Sequence, residues 1–397
     1  MNSRNTGFPG VSSLVMKQIG AIQILRAVAA LMVVLSHAQN DALREAIANG
    51  YRFTRFELLP WDSGVDLFFV ISGFIMVYSS QRLFATPGAG GAFISRRLIR
   101  IVPLYWMITA IALVILGYVA FEGKHPFPSI SEISASLSFF PFARPVDGQP
   151  RPIVDLGWTL NYEMFFYFVF AVFVGFRRDV AIAAVALGLA LAVGLGAILH
   201  PRATALAYWS DPIVLEFVLG MFVARVWLSG VRLGHWLVLL FVLVGMAILA
   251  RDLDHMTAVG SMDSDPNGVL RLFGAGVPMM TIFAAVVLAE PAFLTRTRLA
   301  RFFALLGDAS YALYLFHPLA IIFARKAYLV LGLEKTAGFW PLIGVEIAMA
   351  VGLAVIVHLF VEKPISALLH ERFINKQSKT PRHAPETPVK IGEVPLN

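Results

Sequence analysis

The chain has 397 residues, 58% hydrophobic and only 14% charged, with a mean hydropathy of +0.74 and a formal net charge of +7. A soluble domain is nearer half apolar and a quarter charged, so this composition excludes an ordinary soluble enzyme and points to a polytopic membrane protein. The absence of Cys excludes disulfide scaffolds, thiolate metal sites and a cysteine acyl-enzyme. The positive charges alternate between loops instead of gathering in one patch, so no nucleic-acid partner is expected.

Apolar stretches of about 18 to 25 residues predict ten helical spans. They run approximately over 20–38, 62–80, 99–120, 158–176, 179–199, 205–228, 234–250, 269–290, 306–330 and 340–361. The fold class expected is all-α, with both termini cytoplasmic. With that orientation Arg82, Arg96, Arg97, Arg100, Arg177, Arg178, Arg232, Arg296, Arg298 and Arg301 fall on inner connections, and Lys363, Arg372, Lys376 and Lys379 on the tail. The segment 251–267, with Asp252, Asp254, Asp263 and Asp265, falls outside. A membrane domain over 17–370 is flanked by polar ends, 1–16 and 371–397, expected to be disordered. The long outer loop 121–157 is too apolar at SASLSFFPF for a simple linker and reads as a re-entrant or interfacial segment.

The first span, IQILRAVAALMVVLSHAQN, carries Arg26 and His37. Eleven helical steps of about 100° return to within roughly 20° of the start, so both side chains point the same way, ~16 Å apart along the axis. Ionisable groups at membrane depth are costly and face a cavity or a partner. The run after Arg26, closing on Ser36-His37-Ala38, also imitates a signal peptide, but apolar residues upstream of Arg26 extend it to span length.

Three ionisable residues are expected to converge on one level near the outer face: His37, Asp66 in GVDLFFVISGFIMVY and Glu163 in LGWTLNYEMFFYF. A carboxylate beside an imidazole fixes its tautomer and stabilises the imidazolium formed during general-base catalysis. His37 is the expected base, and Glu163 and Asp66 are alternatives for the orienting carboxylate. On the inner side, Arg97 and Arg100 in SRRLIRIVPLYW share a helix face and suit either a positive-inside anchor or a phosphate site. Arg26, and Ser72 at mid-depth in the second span, complete the expected ligand-binding set. Glu216 in DPIVLEFVLGM is a potential partner for Arg26. In GDASYALYLFHPLAI, Ser310, Tyr311 and His317 form a polar stripe, with His317 read as a hydrogen-bonded packing residue before a second base. The nine histidines lack metal-ligand spacing, and no metal is expected.

Taken in order, Arg26-x10-His37, GVDLFFVISGFI, Arg97-x-x-Arg100 with PLYW, GWTLNYEMFFY, LEFVLGM and DASYALYLFHP resemble the motifs of acyltransferase family 3, integral membrane O-acyltransferases. The likeness covers roughly 18–368 and is strongest to the exopolysaccharide acetyltransferase branch. It implies a bacterial inner-membrane enzyme that moves an acetyl or acyl group from acetyl-CoA to a hydroxyl of an exopolysaccharide, O-antigen or lipid-linked sugar. It also implies that Arg26 and His37 are the signature pair, that Arg97 and Arg100 meet the CoA phosphates, and that Glu163 belongs to the active site. No appended esterase-like domain is expected, leaving acceptor choice to the helices and outer loops. A transporter of a lipid-linked sugar or acyl donor is the alternative from another functional class.

Overall fold

A hydrocarbon environment offers backbone amides no partners, so apolar segments close their hydrogen bonds internally as helices. The computed structural model describes residues 9–251, 268–289 and 297–375, and these form helices and turns with no named strand. In chain order the helices are α1 (Pro9–Ala48), α2 (Gly64–Ser79), α3 (Ala89–Phe121), α4 (Ile130–Leu137), α5 (Trp158–Phe173), α6 (Arg178–Leu199), α7 (Thr204–Trp209), α8 (Leu215–Leu228) and α9 (His235–Arg251). They continue with α10 (Gly268–Leu288, a π turn at Leu272–Gly276), α11 (Arg298–Asp308), α12 (Ser310–Val330), α13 (Trp340–Val357), a π turn at His358–Glu362, and α14 (Lys363–His370).

Among the described residues, eight helices are long and apolar enough to cross a membrane. The two remaining expected spans are shorter. The segment 205–228 is interrupted at Ser210-Asp211-Pro212, because Pro212 cannot continue the ladder, and leaves the 14-residue α8. The segment 234–250 forms the 17-residue α9. Helix α1 begins at Pro9, inside the N-terminal stretch expected to be disordered, and the tail continues helically through a π turn to Asn375. The acidic residues 252–267 and Arg296 lie outside the described residues, as does the tail from 376.

The centre of the bundle is α2. Gly73 and Gly220 let α2 and α8 pack backbone to backbone: a Cβ at Gly73 would lie 2.0 Å from the Phe217 carbonyl oxygen, and one at Gly220 2.0 Å from that of Val70. Packing without voids at this crossing aligns the rest of α2, so Asp66 and Ser72 face the interior. Helix α6 lies at the periphery, exposing Leu187, Leu191, Leu195 and Ile198. The outer loop carries α4, capped by Ser129 and Glu132 in a reciprocal box. Ser136 of α4 bonds the Tyr105 hydroxyl at 2.9 Å, fastening the loop to α3.

Candidate active site

Two cavities meet at three arginines. The inner chamber, about 90 Å³, is bounded by α1, α2, α3, α5 and α12, with Arg26, Ser72, Arg97, Arg100, Glu163, Tyr167, Tyr311 and Tyr314 among its lining residues. The wider mouth, about 500 Å³, repeats Arg26, Arg97 and Arg100 and adds Gln23, Arg96, Asp308, His358, Glu362, Lys363, Ser366 and His370. The structure therefore brings Arg26, Arg97, Arg100, Ser72 and Glu163 of the expected site around one continuous space.

Inside the chamber Glu163 is held by hydroxyls. Ser72 Oγ donates to Glu163 Oε1 at 2.7 Å, and the Tyr167 hydroxyl, one turn along α5, donates to the same oxygen. The Arg97 guanidinium lies 5.3 Å over the Phe93 ring and 5.9 Å over that of Tyr167, which desolvates it beside the carboxylate. Arg97 also donates to Ser79 Oγ. Arg26 is buried and donates to Gln23 Oε1 at 3.0 Å, while Gln23 Nε2 donates to Asp308 at 2.6 Å. At the far end, Tyr314 Oη sits between Thr159 Oγ1 at 3.0 Å and the Leu156 carbonyl at 3.1 Å.

His37 does not join Glu163 or Asp66, which corrects the expected single level. The start of α2 packs against Ala29–Val33 of α1, a Cβ at Gly64 lying 2.5 Å from the Ala29 carbonyl oxygen. From there α2 runs away from His37, so Asp66 and then Ser72 lie successively deeper. His37 instead faces His317, ring centroids 5.0 Å apart and planes at 67°. Each Nδ1 meets the carbonyl oxygen one turn back on its own helix: His37 that of Val33 at 2.9 Å, His317 that of Leu313 at 3.1 Å. A carbonyl only accepts, so Nδ1 carries the hydrogen and Nε2 the lone pair in both rings. His317 Nε2 is buried and meets no hydrogen-bond partner among the described residues. His317 thus pairs with the expected base, beyond the packing role read from sequence. The Tyr314 ring, which lines the chamber, lies 6.3 Å from that of His317, and neither histidine is among the chamber's lining residues. Further along α1, Asp41 bonds Arg325 at 2.7 Å and Glu45 lies 3.2 Å from the same guanidinium.

Asp66 is fully buried and engaged elsewhere. Arg271 binds it with both arms, Nε to Oδ1 at 2.9 Å and Nη2 to Oδ2 at 3.0 Å, and lies 5.7 Å over the Trp158 ring. Glu216 packs beside this pair and not beside Arg26: Asp66 and Arg271 are its charged neighbours. The π turn within α10 makes the room, since even a Cβ at Gly276 would sit 2.7 Å from Glu216 Oε1. Arg271 was missed because it stands at the edge of an apolar run, beside an acidic segment, where it reads as a flanking charge. The rule that singled out Arg26 also applies to it. Tyr167 was missed too, although it lies four residues from Glu163 and so on the same helix face. Among the described residues no cluster of three or more His, Asp or Glu side chains could hold a metal ion.

A family profile described as an acyltransferase domain matches residues 19–359. The exopolysaccharide production protein ExoZ of Rhizobium meliloti (strain 1021) is 33% identical over 311 residues, which cover 76% of this chain and 89% of that protein. No solved structure matches.

Proposed function

Because the chain belongs to acyltransferase family 3 and is a membrane O-acyltransferase, we propose that it transfers an acetyl group from acetyl-CoA to a hydroxyl of a bacterial exopolysaccharide or its lipid-linked precursor. The observation that carries this reading is the joining of a cationic mouth to a chamber through Arg26, Arg97 and Arg100. Guanidinium groups suit the phosphates of a nucleotide thioester, and the narrower chamber suits its arm. Under the positive-inside rule the mouth faces the cytoplasm of the inner membrane, which is where acetyl-CoA is available.

In this reading the thioester passes Arg26 and the Glu163–Ser72–Tyr167 trio and ends against Tyr314. For the thioester carbonyl to reach His37, the Tyr314 ring at the chamber's end has to move aside. His37, its Nδ1–H fixed by the Val33 carbonyl, takes the hydroxyl proton at Nε2 as the oxygen attacks the thioester carbonyl. The C–S bond breaks, and the departing thiolate takes up the proton. General-base catalysis of this kind contributes roughly 10²- to 10⁴-fold. An acetyl-histidine formed on His37 before the sugar attacks is the covalent variant of the same chemistry. Glu163 acts as organiser of the donor chamber, and Asp66, occupied by Arg271, holds the bundle together.

The test uses purified protein, acetyl-CoA labelled in the acetyl group and de-O-acetylated surface polysaccharide. Label in base-labile ester on the polysaccharide, with one free thiol released per ester, supports the reading. Thiol release without ester, or neither product, contradicts it.

A further inference from the structure

Helix α13 and its extension run 34 residues, Trp340–Phe373. At 1.5 Å per residue that is ~51 Å, well beyond the ~30 Å of a hydrocarbon core, so roughly the last third projects past the membrane on the side of the mouth. The π turn His358–Glu362 inserts an extra residue into the ladder and so rotates everything after it relative to α13. His358 Nδ1 and Glu362 Oε2, 2.7 Å apart, brace that turn. Beyond it Lys363, Ser366 and His370, at i, i+3 and i+7, fall on one face, and all three line the mouth across from the arginines of α3.

The mouth holds five permanent cations, Arg26, Arg96, Arg97, Arg100 and Lys363, against the carboxylates of Asp308 and Glu362. Both carboxylates already accept hydrogen bonds, from Gln23 at 2.6 Å and His358 at 2.7 Å. The groups able to bind anions stand on two walls, the arginines on α1 and α3, and Lys363, Ser366 and His370 on α14, where Glu362 adjoins Lys363. A ligand that satisfies both walls carries two separate anionic groups. His370 Nδ1 donates to the Ser366 carbonyl at 3.1 Å, so Nε2 is the nitrogen that donates to an anionic ligand in the imidazolium form.

Resting on the donor reading above, we propose that Lys363, Ser366 and His370 form a second phosphate subsite, one that reads the ribose 3′-phosphate of the donor while the α3 arginines take its diphosphate. The consequence is donor class. A free nucleotide thioester satisfies both walls, whereas a thioester on a carrier protein's phosphopantetheine arm lacks the 3′-phosphate and leaves the α14 wall empty.

The experiment measures equilibrium binding of CoA and of 3′-dephospho-CoA to the purified full chain in neutral detergent. Wild type should prefer CoA by about tenfold or more, and adenosine 3′,5′-bisphosphate should compete better than adenosine 5′-phosphate. In the double variant Lys363→Gln, His370→Gln the preference should vanish through weaker CoA binding, with 3′-dephospho-CoA unchanged. Arg97→Gln with Arg100→Gln should weaken both ligands alike. If wild type binds the two equally, or the preference survives in the α14 variant, the subsite is wrong while the donor reading stands. If neither ligand binds wild type, both fall. If the α14 variant changes only the retention of phosphatidylglycerol, these side chains hold lipid headgroups and the proposal is overturned. The wild-type comparison needs no variant to fold.

Discussion

The imidazoles of His37 and His317 meet edge to face, 5.0 Å between ring centroids, each anchored through Nδ1 to its own helix and each with Nε2 free of that anchor. The pair lies beyond Tyr314, whose ring lines the chamber and stands 6.3 Å from that of His317. If His37 is the base, His37→Ala should lower acyl transfer by roughly 10²- to 10⁴-fold at normal membrane levels. His317→Phe preserves ring volume and removes the lone pair, and about a tenfold loss or more is expected. Transfer assays beside membrane-fraction blots check both, and wild-type transfer by His37→Ala would end the assignment.

Glu163 separates two kinds of carboxylate. As a hydrogen-bond acceptor for Ser72 and Tyr167, it can be replaced by Gln, whose amide oxygen still accepts. Glu163→Gln should retain CoA binding to within a few-fold, while Glu163→Ala should weaken it by about tenfold, the cost of one or two hydrogen bonds at ~1 kcal/mol each. Equal loss of turnover in both variants, with donor binding intact, would favour a catalytic carboxylate.

The Asp66–Arg271 ion pair should prove structural. Removing one partner leaves the other charge buried, so Arg271→Met should destabilise the protein by about 3–5 kcal/mol. Glu216 has no guanidinium of its own, one arginine serving two carboxyl groups, and Glu216→Gln should be tolerated. Thermal unfolding in detergent distinguishes the two, and a sharp loss with Glu216→Gln would contradict this division.

Gly73→Ala places a methyl group where the Phe217 carbonyl oxygen is 2.0 Å away. Since the obstacle is backbone, α2 and α8 must separate, and a loss of about 1–3 kcal/mol is expected from overpacking. Unchanged thermal stability would mean that the two helices are less tightly seated than this geometry requires.

A shared polar lining for Arg26, Ser72, Arg97 and Arg100 was legible in the sequence, because a charge or hydroxyl inside an apolar helix needs a polar lining to face, whereas Glu163 was expected beside His37 and lines the arginine chamber instead. The separation of His37 from Glu163 was not legible. Depth counted from the ends of apolar runs assumes that each helix starts at the membrane surface, yet α1 continues as helix to Ala48, well past the start of α2. The partner of Asp66 was equally hidden, since Arg271 is 205 residues away, and Glu216 comes beside the pair through the packing of α2 on α8. The shortness of α8 was readable in principle from Asp211-Pro212, which caps a new helical turn and stops the preceding one.

Transfer across the bilayer is the central claim, and sidedness tests it most directly. Protein reconstituted in sealed vesicles, with molecules inserted so that the arginine mouth faces outward selected by a single Cys at exposed position 82 of the α2–α3 connection, receives labelled acetyl-CoA outside and de-O-acetylated polysaccharide fragments sealed inside. Labelled ester should accumulate inside the vesicles, and the His37→Ala variant should form none. Ester formed only when donor and acceptor are on the same side would contradict the route from the arginine mouth to His37.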